Sequence, residues 1–287
     1  MPARRTPRLA MGLCAMLLAA CVGRGPPGAA PPADPAVAAE AARLRDAMLA
    51  EVPGAAPPDP AQAAQWITLA REAMAAAGRA SPHAELAVLV DRAPSVQRIA
   101  LLLLRAEGPW EVLAVAPAAT GARGRQGYFV TPTGVFVHDG AILGYRALGT
   151  PNAQGGRGLG ARGARVWDFG WQPAERGWRD DGSQAQIRFL LHATDPTLLE
   201  PRLGQPGSQG CVRIGGAMNR FLDHHGVLDA DLERMAAADR RVAALLPPDR
   251  QPTSLAGRLL IVVDSEARPA PAARRAAQSA PAASCAA

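Results

Sequence analysis

Between His83 and Asp264 the chain strings together short apolar runs bounded by turn signals, and this pattern restricts its fold more than any other feature. Leu86 to Val90, Val96 to Leu104 and Val112 to Val115 are too short for surface helices, and Arg92-Ala93-Pro94 and Glu107-Gly108-Pro109 punctuate them. Tyr128 to His138 continues the strand character around a Thr131-Pro132-Thr133-Gly134 turn, Ala141 to Arg146 adds a further apolar run, and Leu259 to Val263 predicts a closing strand. From Val166 to Trp171 the alternation puts Trp167, Phe169 and Trp171 on one face. Ile187, Phe189 and Leu191 alternate with Arg188, Leu190 and His192, so His192 ends a strand on the face opposite those apolar residues. The region is read as a mainly β domain.

Helical periodicity lies outside this block. Ala36 to Glu51 and Ala61 to Gly78 carry Leu44, Met48, Trp66, Leu69 and Met74 at helical spacing, separated by the breaker run Pro57-Pro58-Asp59-Pro60. Residues 36–80 are thus a small helical segment, open to reading as a stalk, a packing module or a dock onto the β domain. After Cys211, Ala217 to His225 and Ala230 to Leu246 read as helices, the second stopped by Pro247-Pro248. Gly155 to Gly163 lacks the spacing of a phosphate-binding fingerprint and is read as a mobile loop. Residues 265–287, rich in Ala, Pro, Arg and Ser, predict a disordered tail with Cys285 as a bystander.

The N-terminus reads as a targeting segment. Arg4, Arg5 and Arg8 precede an apolar stretch, Leu9 to Ala20, that is too short to span a bilayer, so residues 1–20 are a signal peptide. Leu18-Ala19-Ala20-Cys21 resembles a bacterial lipobox, which implies cleavage before Cys21 and lipid on its sulfur; an ordinary secreted protein cut near Ala20 is the alternative. Residues 21–35 are a Pro/Gly-rich tether. Val22 after the cysteine, by resemblance to lipoprotein sorting, favours a periplasmic site on the outer membrane. All 31 Lys+Arg positions are arginine and the formal net charge is +6. Because those arginines are scattered, with no basic helix face or aromatic-interleaved patch, nucleic acid is not an expected partner.

Two side chains carry candidate chemistry. His192 can take a proton and Cys211 can lose one, a nucleophile and base if the fold brings them together. Gly207 and Gly210 bracket Ser208-Gln209, so the backbone can turn tightly and place N–H groups near a carbonyl oxygen; the Gly210 and Cys211 amides are the oxyanion candidates. Ser208 is assigned to orienting the loop or the histidine. Arg213 either holds a substrate carboxylate or pins the loop. Trp167 and Trp171 are either core or the wall of a substrate groove. The four cysteines, Cys14, Cys21, Cys211 and Cys285, show no metal-ligand spacing. No metal or cofactor is expected, and zinc held by Cys211, His192, His138 and the His224-His225 pair is a weaker reading.

These motifs resemble the L,D-transpeptidases with a YkuD-type catalytic domain. The family pattern is a histidine, then 14 to 17 residues, then Ser/Thr-x-Gly-Cys-x-Arg or Asn; here His192 is followed by fifteen residues and Ser208-Gln209-Gly210-Cys211-Val212-Arg213. Upstream, Thr131-Pro132-Thr133-Gly134-Val135-Phe136 is similar to the family's TPTGxF element. The resemblance covers residues 83–264. It implies a β-sandwich-like domain in which Cys211 attacks a carbonyl of a peptidoglycan stem peptide, with His192 as base, and the thioester passes to the amine of a neighbouring stem, giving a 3-3 cross-link. Gln209 stands where many members have a second histidine, and Ala193 where glycine is usual; both bear on acceptor recognition. The competing readings are an L,D-carboxypeptidase or amidase on the same stems, and a non-catalytic peptidoglycan-binding lipoprotein.

Overall fold

The computed structural model describes residues 34–267. The segment read as a signal peptide, the expected lipidation site Cys21, most of the tether and the tail beyond Ala267 lie outside the described residues.

Two helices open the described chain. α1 (Pro35–Glu51) and α2 (Pro60–Ala76) each begin with proline behind an aspartate N-cap; Asp34 accepts from Ala36 N–H and Asp59 from Gln62 N–H. The carboxylate satisfies an orphan donor, and proline's fixed φ suits the first helical position. Nine strands follow: β1 (Glu85–Asp91), β2 (Arg98–Leu104), β3 (Glu111–Ala119), β4 (Gly134–Val137), β5 (Tyr145–Arg146), β6 (Arg165–Glu175), β7 (Gln184–Ala193), β8 (Val212–Ile214) and β9 (Leu259–Val263). Between β8 and β9 lie α3 (Gly216–His224), α4 (Ala230–Ala236) and α5 (Arg240–Leu245). The helix expected over Ala230 to Leu246 is two helices, because Asp239 caps the amide of Arg241 and restarts the turn.

All nine strands form one mixed sheet in the order β4-β9-β1-β2-β3-β8-β7-β6-β5. The β-rich expectation holds: the sheet stays hydrogen-bonded through β3 and curls on itself. Phe136 of β4 and Phe189 of β7 show the curl directly, their ring centroids 4.6 Å apart although their strands stand far apart in sheet order. Inside the curl, one core joins Val88, Leu101 and Leu260 to Trp167, Leu191 and Ile214.

The helical segment is not a separate stalk. Leu44 and Met48 of α1 belong to the core inside the curl. Trp66, Ala70 and Met74 of α2 pack on the opposite face of the sheet, against Ala87, Leu102 and Ile261. Trp66 is fully buried, and its indole N–H donates to Asp91 at 2.7 Å. Asp91 also accepts from the Ser265 amide, and Ser95 donates to Glu266, so the chain expected to become disordered at 265 is still tied to the domain there.

Residues 226–257 pack beside the β5–β6 end of the sheet. Arg146 of β5 donates to the Leu245 carbonyl at 2.8 Å and to Asp223 at 2.8 Å. Behind it, fully buried Arg165 pairs with Asp229 at 3.5 Å, and His138 stands 3.6 Å from the same carboxylate. The extension thereby fixes β5, which carries Tyr145 toward the site described next.

Candidate active site

Strand register builds the site. β7 and β8 are parallel, with Leu191 opposite Val212 and His192 opposite Arg213. Leu191, Val212 and Ile214 enter the core, so the alternate residues His192, Leu190, Arg213 and Cys211 leave the sheet on the other face. Cys211 is the diagonal neighbour of His192, which at strand spacing is roughly 8 Å between Cα atoms. Antiparallel β6 adds Val166 opposite His192 and Asp168 opposite Leu190, and β5 adds Tyr145 opposite Val166.

His192 is 4% exposed. Its Nδ1 stands 2.6 Å from the Ala193 carbonyl oxygen, which can only accept, so Nδ1 carries the proton and Nε2 is the free acceptor. Burial pushes its pKa down to about 4; the Ala193 carbonyl opposes that shift and the Arg213 charge reinforces it. At neutral pH the ring is therefore an uncharged base.

The Cys211 thiol is partly exposed and reduced. Sγ lies against the β7 backbone, donating at 3.6 Å to the Arg188 carbonyl and approached by the Leu190 amide. Burial raises the thiol pKa; the Leu190 N–H and the Arg213 charge lower it, and Asp168 raises it. Thiol and imidazole rest as a neutral pair, not hydrogen-bonded to each other.

The turn before Cys211 is clamped from two sides. Ser208 is fully buried; its hydroxyl donates to the Cys211 carbonyl at 2.5 Å and accepts from the Gly210 amide at 3.0 Å. Ser208 thus orients the loop, and the Gly210 amide, expected to face an oxyanion, is corrected to a turn contact. Of the two candidate donors, the Cys211 N–H remains. Gly210 has φ +126°, a backbone conformation that side chains with a Cβ rarely adopt, so the turn demands glycine. Thr131, the first residue of the TPTG element, donates from Oγ1 to the Gly210 carbonyl at 2.8 Å and accepts from the Gly121 amide at 2.8 Å. Its part in the site was not evident from sequence, although the motif around it was.

The tryptophans divide. Trp167 is 0% exposed and lies in the core, so it presents no surface to a ligand and is corrected from groove wall to core residue. Trp171 is 63% exposed. A bulge between Asp168 and Trp171 separates them: Gly170 takes φ +78°, its amide donates to Asp168, and the inserted residue carries Trp171 to the face opposite Trp167. Trp171 pairs in register with Arg188, whose guanidinium lies 5.9 Å from its ring centroid and donates to Asp168 at 2.9 Å. Arg188 shares the His192 face as the β7 alternation predicts, whereas Asp168 and Tyr145 are site-face residues that only the register identifies. Burial raises the Tyr145 pKa, helped by the charge of Asp168.

Arg213 donates from Nη1 to the Gly207 carbonyl at 3.0 Å, which pins the loop, while its Nε is buried without a partner among the described residues. The Gly155 to Gly163 loop, read as mobile, is anchored: the Arg157 amide donates to Asp195 at 2.8 Å, and Gly160 packs against Ala193. The remaining histidines stay away from Cys211. His138 donates from Nδ1 to the Leu228 carbonyl at 3.2 Å, and His225 pairs with Glu51. Among the described residues no group of three or more His, Cys, Asp or Glu is placed to hold a metal ion.

No family model matches the chain, and no curated protein is significantly similar to it.

Proposed function

We propose that the protein is a peptidoglycan L,D-transpeptidase with a YkuD-like domain, acting through a Cys211 thioester. The observation that carries this reading is the shared face of Cys211 and His192 across β7–β8, with Nδ1 held by Ala193 so that Nε2 is the base. The histidine-to-cysteine spacing and the TPTG element, whose threonine braces the cysteine turn, support it from the sequence.

In this reading Sγ turns from the Arg188 carbonyl toward His192 and attacks the carbonyl carbon of the third stem residue. Its proton passes to Nε2 as the C–S bond forms. A neutral imidazole of low pKa is a weak base but returns the proton readily to the departing amine of the fourth residue. The Cys211 N–H faces the developing oxyanion. The amine of a second stem then attacks the thioester, loses its proton to Nε2 and releases Sγ, leaving a 3-3 cross-link. Trp171, beside Arg188 on the site face, offers an exposed surface for the acceptor. The lipobox at Cys21 supports a periplasmic enzyme tethered to the outer membrane.

Incubating the purified protein with tetrapeptide muropeptides tests the assignment. Cross-linked dimers are the expected product. Tripeptide monomers alone would instead indicate a carboxypeptidase using the same acyl-enzyme, and an unchanged substrate would indicate a non-catalytic binding protein.

A further inference from the structure

We infer that the pocket on the β3 side of Arg213 is a carboxylate-binding subsite that selects peptides with free acid groups over their amidated forms. The inference rests on the function proposed above and names what that site prefers. The pocket encloses about 370 Å³, and its lining includes Arg123, Arg125, Arg202, Arg213 and Tyr128 but no aspartate or glutamate.

Among the described residues, three of those arginines have no carboxylate partner. Arg123 is held by both oxygens of Glu175, at 2.6 and 2.8 Å. Arg125 instead lies over the Tyr128 ring, 4.7 Å from its centroid. Arg202 ends the 3-10 turn Glu200–Arg202 at the rim. Arg213 gives Nη1 to the Gly207 carbonyl and keeps a buried Nε with no acceptor among the described residues. A buried donor lacking an acceptor, beside two exposed guanidiniums with no carboxylate on them, is chemistry for a bidentate anion.

Position decides which anion. Arg213 follows Cys211 by two residues on the same face, about 7 Å along the strand. A peptide whose carbonyl sits at Sγ therefore carries a carboxylate from the adjoining residue to Arg213. A carboxamide there has no charge and sets its own N–H groups against arginine donors, leaving the buried Nε poorly served.

Calorimetry on the full-length Cys211→Ala protein separates binding from turnover. The probes are a stem tetrapeptide with free side carboxylates, the same peptide amidated, and inorganic phosphate. The free acid is expected to bind at least about tenfold tighter than the amide, a ratio that falls with added salt. Reversing the two exposed charges, Arg125→Glu with Arg202→Glu, is expected to bring that ratio near one while the amide's affinity holds. Equal binding of acid and amide, binding of neither, phosphate binding as tight as the free acid, or a ratio unmoved by the double reversal would overturn the proposal. The parent Cys211 protein keeps the two readings apart. If it forms no acyl adduct while the acid preference stands, the transpeptidase reading fails and the subsite survives; if it is acylated equally by both peptides, the reverse holds.

Discussion

His192 and Arg213 are direct register partners across the parallel β7–β8 pair, and their side chains leave the sheet together on the face that carries Cys211. The guanidinium opposes protonation of the imidazole beside it, and burial opposes it more, which is why the ring stays neutral down to a pH of about 4. The same guanidinium favours the thiolate of Cys211 against the burial that disfavours it. One arginine thus biases both members of the pair, and the resting state is thiol and imidazole rather than an ion pair.

The depressed histidine predicts a pH-dependent stability. His192 titrates near 4 when folded and near 6.5 when unfolded, so between those values the unfolded chain binds more protons and stability falls as pH falls. At full effect the loss is about 3 kcal/mol. His138, also lowered by burial, acts in the same direction. Denaturant titrations from pH 7 to 4 check this: His192→Gln is expected to be less pH-sensitive than the parent, with the residual slope belonging to His138.

Removing the shared charge moves both groups upward. In Arg213→Ala, the pH midpoint for iodoacetamide alkylation of Cys211 is expected to rise from a value already above the ordinary thiol range. The His192 ring pKa, followed by NMR, is expected to rise toward the ordinary histidine value. A downward shift of either would show that Arg213 acts on the site through structure rather than charge.

The two tryptophans flanking the β6 bulge are expected to respond in opposite ways. Trp167→Ala opens the core and costs about 3 to 5 kcal/mol. Trp171→Ala is expected to change stability by less than about 0.5 kcal/mol, with any effect appearing in turnover. Chemical denaturation of the two variants alongside muropeptide kinetics distinguishes these roles.

Ser208→Ala removes the hydroxyl that joins the Cys211 carbonyl to the Gly210 amide and leaves the buried Gly210 N–H without its acceptor. A stability loss of about 1 to 3 kcal/mol is expected, with slower acylation of Cys211 because the thiol's backbone anchor loosens. Thermal melts and adduct formation followed by mass spectrometry read the two effects.

Much of this site was legible where the cause is local. The helical spacing of Leu44 and Met48 marks α1 and that of Trp66 and Met74 marks α2, and the alternation in β7 puts His192 opposite Phe189 and Leu191; that spacing does not show the Asp34 and Asp59 caps. What sequence missed comes from contacts between distant segments. Thr131 reaches the Gly210 carbonyl across 79 residues, and Arg146 is held from Asp223 and Leu245. The bulge at Gly170 is the instructive case: period-two alternation assigns Trp171 to the face of Trp167, and one inserted residue reverses it. Likewise, the Ser-Gln-Gly-Cys turn suggested two amides for an oxyanion, but the Ser208 hydroxyl that tightens the turn occupies one of them.

The most direct test of the account is intact-mass measurement of the protein after brief exposure to stem tetrapeptide, comparing the parent with Cys211→Ala and His192→Ala. The account predicts a tripeptide-sized thioester adduct on Cys211 in the parent, none in Cys211→Ala, and accumulation slowed by about 10²-fold or more in His192→Ala. An adduct that persists without Cys211, or forms at the parent rate without His192, would contradict it.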